Sequence, residues 1–431
     1  MRIFKKKLDN GMTTIVVPMK TSSLVSLGFL IKTGSRNEDP EKAGVAHFLE
    51  HVTFKGTKKR PSTHVIKELD SIGAYYNAST SYEYTFFYVM GHTNDFKQIF
   101  DILLDIYLNP QLSRKEIEKE RAIILEEYYS YRDIPRNILS SFIFETLFRG
   151  TTLERDIIGS PQTIADITRK DLIEFRKAYY QPINTIFLVT GNFPNDRIQV
   201  QNYLSKKLNH ITNYPKTIPA FNFIHDDENV FKQLLEQQRP RFFAKKRNME
   251  HVKLSLIFPM DIAYDDYKIE MELISDILTG GMFSRLKLLL REKNNLVYSV
   301  GSSIGEYCGI NYFMIMTATY PDNVKNIILK ISKELNNIKK NGFRAEELKR
   351  VKRAKIVQSL SPNSRSPLSI MHELALTALY DEEHLYTNDK DIIEKIKNVK
   401  LNDLTKISND MFQLKRLNIF ALGKISKHLK F

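Results

Sequence analysis

The segment from His47 to His51 brings two imidazoles and a carboxylate close together in the chain. On a helix, residues four apart project from the same side one turn apart, so His47 and His51 are placed to share one zinc ion. Glu50 follows His47 by three residues and lies on the same face, where it can take a proton from a water molecule that zinc makes acidic. This is the inverted form of the H-E-x-x-H zinc motif. Such a motif also arises by chance in surface or core helices, so a third ligand must decide.

The third ligand is expected to be a carboxylate from a second helix, in the Glu-rich segment 118–127. Glu120 and Glu127 are seven residues apart and therefore share one helix face, whereas Glu126 is rotated by about 100° from Glu127. Ile123 and Ile124 predict that this face is an apolar stripe directed inward. A carboxylate beside core residues needs a partner, which a metal ion provides. The alternative is an ordinary solvated Glu-rich helix.

Composition bounds the remaining possibilities. The chain has 431 residues, 42 % apolar and 26 % charged, as in a globular protein of two to four domains. Its single cysteine, Cys308, excludes a disulfide framework within the chain and an all-cysteine metal site. Because Cys308 lies in a strand-like run, a core position is favoured over a nucleophile.

The formal net charge of +14 raises the question of an anionic partner. Lys and Arg are spread along the chain among Asp and Glu, without a long basic block, so a solvated basic surface is favoured over nucleic-acid binding. The first residues are basic but lead into no apolar stretch, and no run approaches the ~18 apolar residues of a membrane span. We therefore predict a cytoplasmic protein without nucleic-acid or membrane partners.

Periodicity and turn residues predict alternating strands and helices in the first half. Asp9-Asn10-Gly11 is typical of a hairpin turn, and Gly34 ends a further strand. The helix with the zinc motif is expected to begin at Asp39, as its cap, and Pro40. Other helices are predicted near residues 62–74, 93–110, 113–132 and 168–182, and strands near 75–91 and 184–193.

The second half repeats this order of elements, which indicates a degenerate internal duplication. Residues of about 205–250 are rich in Pro and basic side chains and resemble a linker. We predict an N-terminal zinc-binding domain at 1–215, a linker at 216–248 and a homologous domain at 249–431. The helix near 270–281, which corresponds to the zinc helix, contains no His.

In combination, "HFLEHVTFKGT", "NASTSYEYT" and "ERAIILEE" resemble the pitrilysin or insulin-degrading-enzyme family of inverzincin peptidases, and most of all its mitochondrial-processing-peptidase branch. The resemblance covers nearly the whole chain. In that family the third ligand is the Glu seven residues after the Glu of an E-R pair, which selects Glu127 over Glu126. Glu120 matches a second family Glu that supports the site.

The resemblance also implies residues for substrate. Arg291 and Tyr298, in "GGMFSRLKLLLREKNNLVYSV", match an Arg/Tyr pair that binds the substrate backbone and stabilises the transition state. Val297 stands where the family often has Gly. Asn77 and Ala78 match a segment near the zinc, and an edge strand there is suited to pair with an extended peptide.

Tyr82 replaces a frequent Arg of the family, a departure that bears on substrate preference and not on the chemistry. The expected fold is α+β: two similar domains, each a mostly antiparallel sheet with helices packed on one face. Four such domains enclose a chamber in the family, and this chain supplies two. Because it carries both the zinc motif and the Arg/Tyr pair, a homodimer is expected, with a heterodimer with a paralogue as the alternative.

The expected activity is that of a zinc endopeptidase acting on unfolded peptides, with Glu50 as the base that activates water. Two other classes of function remain. Core subunits of respiratory complexes share this fold without catalysis, but they usually lose zinc ligands, and none is lost here. A nucleic-acid binder rests on net charge alone.

Overall fold

The computed structural model describes residues 2–193, 197–214, 224–261, 264–361, 365–382, 385 and 389–425. The chain divides into two compact units, and neither is continuous in sequence. Unit 1 comprises Met1–Tyr131, Thr152–Phe223 and Leu360–Asp389. Unit 2 comprises Arg132–Thr151, Ile224–Ser359 and Lys390–Phe431.

The helices follow one another along both units. In chain order they are α1 (Val45–Thr53), α2 (His64–Ser71), α3 (Phe96–Leu108), α4 (Arg114–Asp133), α5 (Pro135–Leu147), α6 (Pro161–Asp166), α7 (Arg169–Tyr179), α8 (Arg197–Leu208), α9 (Ile224–Leu235), α10 (Tyr264–Thr279), α11 (Arg285–Lys287), α12 (Val324–Asn341), α13 (Ala345–Ser359), α14 (Pro367–Tyr380), α15 (Asp389–Asn398) and α16 (Leu401–Met411). Among the described residues, none of these helices is long and apolar enough to cross a membrane.

Unit 1 contains a six-stranded sheet. Its strands are β1 (Phe4–Lys7), β2 (Thr13–Pro18), β3 (Leu24–Ile31), β4 (Tyr75–Thr80), β5 (Thr85–His92) and β6 (Thr185–Gly191). Their order across the sheet is β1-β2-β6-β3-β5-β4. Only the pairing of β2 with β6 is parallel. The sheet is therefore mostly antiparallel, as predicted, and β4 forms one of its edges.

Both faces of this sheet are covered. Because side chains alternate along a strand, Phe29 and Val189 point to one face, where they pack with residues of α1, α3 and α7. Leu30 and Ile186 point to the opposite face, against a buried side of α14 that includes Leu374. Burying each such side chain contributes about 1.5–3 kcal/mol. Besides the helices expected on one face, unit 1 thus has a further helix on the second face, because α14 arrives from the far end of the chain.

Unit 2 contains a five-stranded sheet with the strands β7 (Arg241–Lys246), β8 (Val252–Met260), β9 (Val300–Tyr307), β10 (Ile310–Thr319) and β11 (Asn418–Gly423). Their order is β7-β11-β8-β10-β9, and only β7 and β11 pair in parallel. This order repeats β2-β6-β3-β5-β4 strand for strand. The predicted duplication is thus confirmed in topology as well as in the order of elements.

The second sheet is also covered on both faces. One face packs with α10, α12 and α16 into a core that includes Leu256 and Ile331. On the opposite face, Phe142 of α5 meets Phe420 of β11 edge to face, with ring centroids 5.4 Å apart. Helix α5, which the sequence analysis did not predict, supplies this cover from the N-terminal half of the chain.

Two further predictions differ from the structure. The range 216–248, predicted as a linker, contains α9 and β7, although residues 215–223 lie outside the described part of the chain. The zinc-motif helix begins at Val45 and not at Asp39, because Gly44 takes a left-handed conformation with φ +96° and interrupts it. Asp39 and Pro40 form a short 3₁₀ turn instead, in which the Asp39 side chain accepts from Glu41 N–H.

Candidate metal centre

Helix α1 is anchored at its start and along its core-facing side. Phe48, Leu49 and Val52 are buried in the core of unit 1, which fixes the rotation of the helix about its axis. The buried carboxylate of Glu38 accepts hydrogen bonds from the Gly44 and Ala46 N–H groups, each at 2.8 Å. Because the first N–H groups of a helix lack partners within the helix, this carboxylate completes the helix and defines where it begins.

The two histidines of α1 meet Glu127 of α4. Among the described residues, these three form the one group of His, Cys, Asp or Glu whose ligand atoms all lie within 4.8 Å of one another. His47 Nε2 is 3.7 Å from Glu127 Oε1, and His51 Nε2 is 3.3 Å from Glu127 Oε2. Ligands bound tetrahedrally at zinc distances are about 3.3–3.4 Å apart. The three side chains therefore fit a zinc ion.

Glu120 lies outside the cluster of three side chains and contacts one of them, His51. It is 3 % exposed, and its Oε2 lies 3.2 Å from His51 Nδ1, while its Oε1 lies 2.9 Å from Lys55 Nζ. A hydrogen bond from Nδ1–H to a carboxylate leaves Nε2 of His51 free to bind a metal and fixes the orientation of the ring. The structure thus places Glu120 where a supporting residue is expected.

The charges of the three ligands are unequal. Burial, reinforced by the neighbouring His51, lowers the pKa of His47 to about 4, so this ring is neutral at pH 7. Burial also acts to lower the pKa of His51, but Glu120 and Glu127 together outweigh it and raise that pKa to about 9. The hydrogen bond from His51 lowers the pKa of Glu127. At pH 7 these shifts place a proton on His51 beside the carboxylates of Glu120 and Glu127.

Glu50 lies beside this cluster but outside it. Burial raises the pKa of its carboxyl group, opposed by a hydrogen bond from Thr80 Oγ1 to Glu50 Oε2 at 2.6 Å. A carboxylate whose pKa moves towards neutrality is a better general base than an ordinary surface Glu. The side chain of Glu50 is therefore suited to move a proton rather than to bind the metal.

The environment of the ligands departs from the sequence prediction in one respect. Ile124 is buried as expected, but Ile123 is 49 % exposed and does not belong to an inward stripe. The side chain of Glu127 is 43 % exposed, so it forms the solvent-exposed side of the cluster. On the closed side, His47 Nδ1 is buried and has no hydrogen-bond partner among the described residues.

Asn77 and Ala78 lie in β4, whose outer edge carries no neighbouring strand in the described sheet. The side chain of Asn77 accepts a hydrogen bond from the Ala78 N–H at 2.9 Å. An uncovered edge strand beside a site offers backbone groups to an extended peptide. The position of both residues is compatible with the role implied for them, which stays a prediction.

Arg291 and Tyr298 belong to unit 2. The guanidinium of Arg291 lies 5.4 Å from the centre of the Tyr298 ring, within range of a cation–π contact. Arg291 is part of a π-helical turn at Leu288–Glu292, and such turns are frequent at functional sites. The pair borders a cavity of about 760 Å³, and Tyr298 is 85 % exposed. Their roles in binding and transition-state stabilisation stay predictions.

Sequence reasoning missed two residues that shape the site, Glu38 and Thr80. Each is a polar side chain outside the motif, and each contacts α1 through a fold that the sequence alone does not specify. The signal for Glu38 was its place six residues before Gly44, close enough to reach the start of a helix. Thr80 lies within the segment "NASTSYEYT", but nothing in that segment indicated a contact with Glu50.

Comparisons with known proteins identify the family of the chain. Residues 14–161 match the family described as Insulinase (Peptidase family M16), and residues 166–355 match Peptidase M16 inactive domain. An uncharacterized zinc protease of Rickettsia bellii is 27 % identical over 416 residues, covering 94 % of each chain. An uncharacterized zinc protease of Bacillus subtilis, YmxG, is 26 % identical over 85 % of this chain and 87 % of its own length.

The β subunit of the human mitochondrial-processing peptidase is 35 % identical over 190 residues, which are 44 % of this chain and 37 % of that protein. Among solved structures, a protease from Helicobacter pylori has a TM-score of 0.86 at 22 % identity and covers 98 % of this chain and 99 % of its own. With the duplicated fold and the His-His-Glu cluster, these matches establish that the chain belongs to the M16, or insulinase-like, peptidase family.

Proposed function

We propose that this chain is a zinc-dependent endopeptidase that hydrolyses unfolded peptides. The observation that carries the proposal is the convergence of His47, His51 and Glu127 within 4.8 Å, with Glu50 on the same helix as the two histidines. Relatives that align over almost the full chain are named zinc proteases, which supports the choice of both metal and reaction.

The roles of the residues follow from their contacts. His47, His51 and Glu127 would hold the zinc ion, which when bound supplies Lewis acidity towards a carbonyl and a water molecule. Glu50 takes a proton from the attacking water and delivers it to the leaving amine. Glu120 keeps the His51 ring in the orientation and tautomer that presents Nε2. Tyr298 and Arg291 are assigned to the oxyanion and the peptide backbone, in line with the resemblance.

A non-catalytic subunit is the alternative within this family. Such a subunit has no need of a base beside the metal ligands, whereas here Glu50 is held by a hydrogen bond and has a raised pKa. The domain described as inactive matches residues 166–355, which contain none of the three ligands. The complete set of ligands in the N-terminal half therefore favours catalysis.

The test of activity is the Glu50→Gln variant, which removes the base and keeps the shape of the side chain. Digests of a library of unstructured peptides are followed by mass spectrometry, with and without a chelator, and bound zinc is measured by elemental analysis. We expect zinc to remain near one ion per chain while turnover falls by about 10²–10⁴-fold. Glu126→Gln, the same change on an exposed site of α4, serves as the control. Unaltered cleavage by the Glu50→Gln protein would refute the role of Glu50.

We propose further that the active form is a homodimer in which two copies supply the four domains of a closed chamber, because one chain carries both the zinc motif and the Arg/Tyr pair. Sedimentation velocity across a dilution series, with activity measured on the same samples, tests this. Activity is expected to fall as the dimer dissociates, and a fully active monomer would exclude it. Cell fractionation tests the predicted cytoplasmic location.

A further inference from the structure

The base of the proposed reaction is held by a residue from a different element. Thr80 is the last residue of β4, and its Oγ1 donates to Glu50 Oε2 at 2.6 Å. The backbone of Thr80 also stabilises the Glu50 carboxylate. The carboxylate of Glu50 is thus tied to β4 through its Oε2.

The position of Thr80 is fixed by the turn that follows it. Thr80 pairs with Thr85 at the end of the β4–β5 hairpin, and the Ser81 N–H donates to the Tyr84 carbonyl at 2.8 Å. The segment before α1 fixes this turn, because the Ser35 N–H donates to the Ser81 carbonyl at 3.1 Å. Thr80 is therefore anchored through backbone bonds that do not depend on its own side chain.

A buried ion pair also stabilises the turn after Thr80. Arg36 and Glu83 form a salt bridge in which both side chains are at most 1 % exposed. The Tyr380 hydroxyl donates to the second oxygen of Glu83, and Arg36 Nε donates to Thr152 Oγ1 at 2.8 Å. Removing one partner of such a pair is strongly destabilising because it leaves the other charge buried and unpaired, so the turn is held firmly. A donor on such a support is well suited to orient a partner.

The geometry points to Thr80 as a positioning residue that fixes the orientation of Glu50 for proton transfer. This inference rests on the proposed function. Its consequence is that β4 has two tasks: its outer edge is the predicted site of peptide addition, and its last side chain holds the base. The register of β4 then determines the positions of both the peptide and the base, so the reacting bond is placed relative to Glu50 without a further conformational change.

The two possible roles of Thr80, in orienting Glu50 and in shaping the hairpin, are separated by two substitutions. Thr80→Val keeps the branched shape and the backbone but removes the hydroxyl, and Thr80→Ser keeps the hydroxyl and removes the methyl group. Ser79→Ala serves as the control, since successive side chains of a strand point to opposite faces. All variants are compared with the wild type as purified, zinc-loaded full chains.

We expect Thr80→Val to lower kcat about 10–100-fold, the scale of an effect from a misplaced catalytic group, with KM, zinc content and melting temperature unchanged. Thr80→Ser is expected to retain kcat within about threefold, and Ser79→Ala to match the wild type. A Thr80→Val kcat within twofold of wild type would overturn the inference. So would an equal loss in Thr80→Ser, which would assign the effect to shape.

A second measurement does not depend on activity. In crystal structures of the metal-free wild type and Thr80→Ser proteins, Glu50 Oε2 should contact the residue 80 hydroxyl, and in Thr80→Val the carboxylate should adopt another rotamer. A Glu50 side chain that keeps its place in Thr80→Val would overturn the inference. If the wild type cleaves no peptide, the proposed function fails, but the crystal structures still decide whether Thr80 orients Glu50.

Discussion

Replacing Glu120 by Gln gives a sharp test of the proposed metal centre. Glu120 is not a ligand, yet its carboxylate lies 3.2 Å from His51 Nδ1 and is almost fully buried. The Gln side chain has the same shape and still offers one acceptor oxygen, but it carries no charge. Any change in zinc binding therefore reports on the support that the Glu120 charge gives to His51.

The expected magnitude follows from two opposing effects. Loss of a carboxylate behind a ligating His typically weakens metal binding about 10–100-fold, or about 1.4–2.7 kcal/mol. In the wild type, however, the pKa of His51 is about 9, so at pH 7 only about one ring in a hundred is free of its proton. Removing the charge of Glu120 lowers the pKa of His51, so that the proton competes less with zinc for this ring. The loss of affinity should thus be small at pH 7 and reach about 10–100-fold at pH 9.

The assay is competition for zinc with a chromophoric chelator of known affinity, at half-unit steps from pH 6.5 to pH 9.5. Glu126→Gln is the matched control, because it makes the same charge change on the exposed side of the same helix. The reasoning is refuted if Glu120→Gln and Glu126→Gln behave alike at pH 9, or if the loss in Glu120→Gln is greater at pH 7 than at pH 9.

Three further predictions use the same structure. Zinc binding by the wild type should displace about one proton from His51, so affinity should rise about tenfold per pH unit from pH 7 to pH 9; calorimetry in buffers of different ionisation enthalpy measures the proton, and a pH-independent affinity would contradict this. Burial raises the pKa of Glu38 to about 8, above its value in the unfolded chain, so its contribution to stability is present at low pH and is lost as pH rises through 8. The wild type should therefore lose melting temperature relative to Glu38→Gln between about pH 5 and pH 8, the interval between its unfolded and folded pKa values, and a constant difference across that interval would count against it. Gly44→Ala should destabilise by at least about 1–3 kcal/mol in urea unfolding, because its φ is +96° and a Cβ would collide with the Ile158 carbonyl. Gly73→Ala, at φ +61° in open space, is the control and should lose less.

The candidate metal ligands were predictable because most of their geometry is local. The helix period alone predicts that His47, Glu50 and His51 share one face, and the structure brings the two histidines together with Glu127. Helix periodicity was not sufficient to predict Glu127, since its distance from α1 depends on how two helices pack. The choice of Glu127 came from the spacing rule of the family that the sequence resembles. Within α4, periodicity assigned Ile124 correctly but placed Ile123 inside, because a helix on a surface buries a narrower stripe than an apolar pair of residues suggests.

The strands could also be predicted from the sequence, but the helices that cover the second face of each sheet could not. Alternation and turn residues mark each strand, and the duplication predicts that two sheets share one topology. Nothing in the sequence of α5 or α14, however, indicates that each belongs to the unit built mainly from the other half of the chain. Both helices are apolar on a face that must be buried somewhere, and periodicity identifies that face without naming its partner.

The short segment 34–38 explains why the proposed site needs residues well outside its motif. A Cβ on Gly34 would collide with the Ser81 carbonyl, so glycine permits the close approach of this segment to the turn after Thr80. Arg36 then fastens that turn through Glu83, and Glu38 caps α1, which carries His47 and Glu50. One loop thus positions the helix that bears the ligands and the strand that orients the base, so their relative placement depends on five consecutive residues. A support of this kind is suited to hold the candidate ligand atoms of His47, His51 and Glu127 within 4.8 Å of one another.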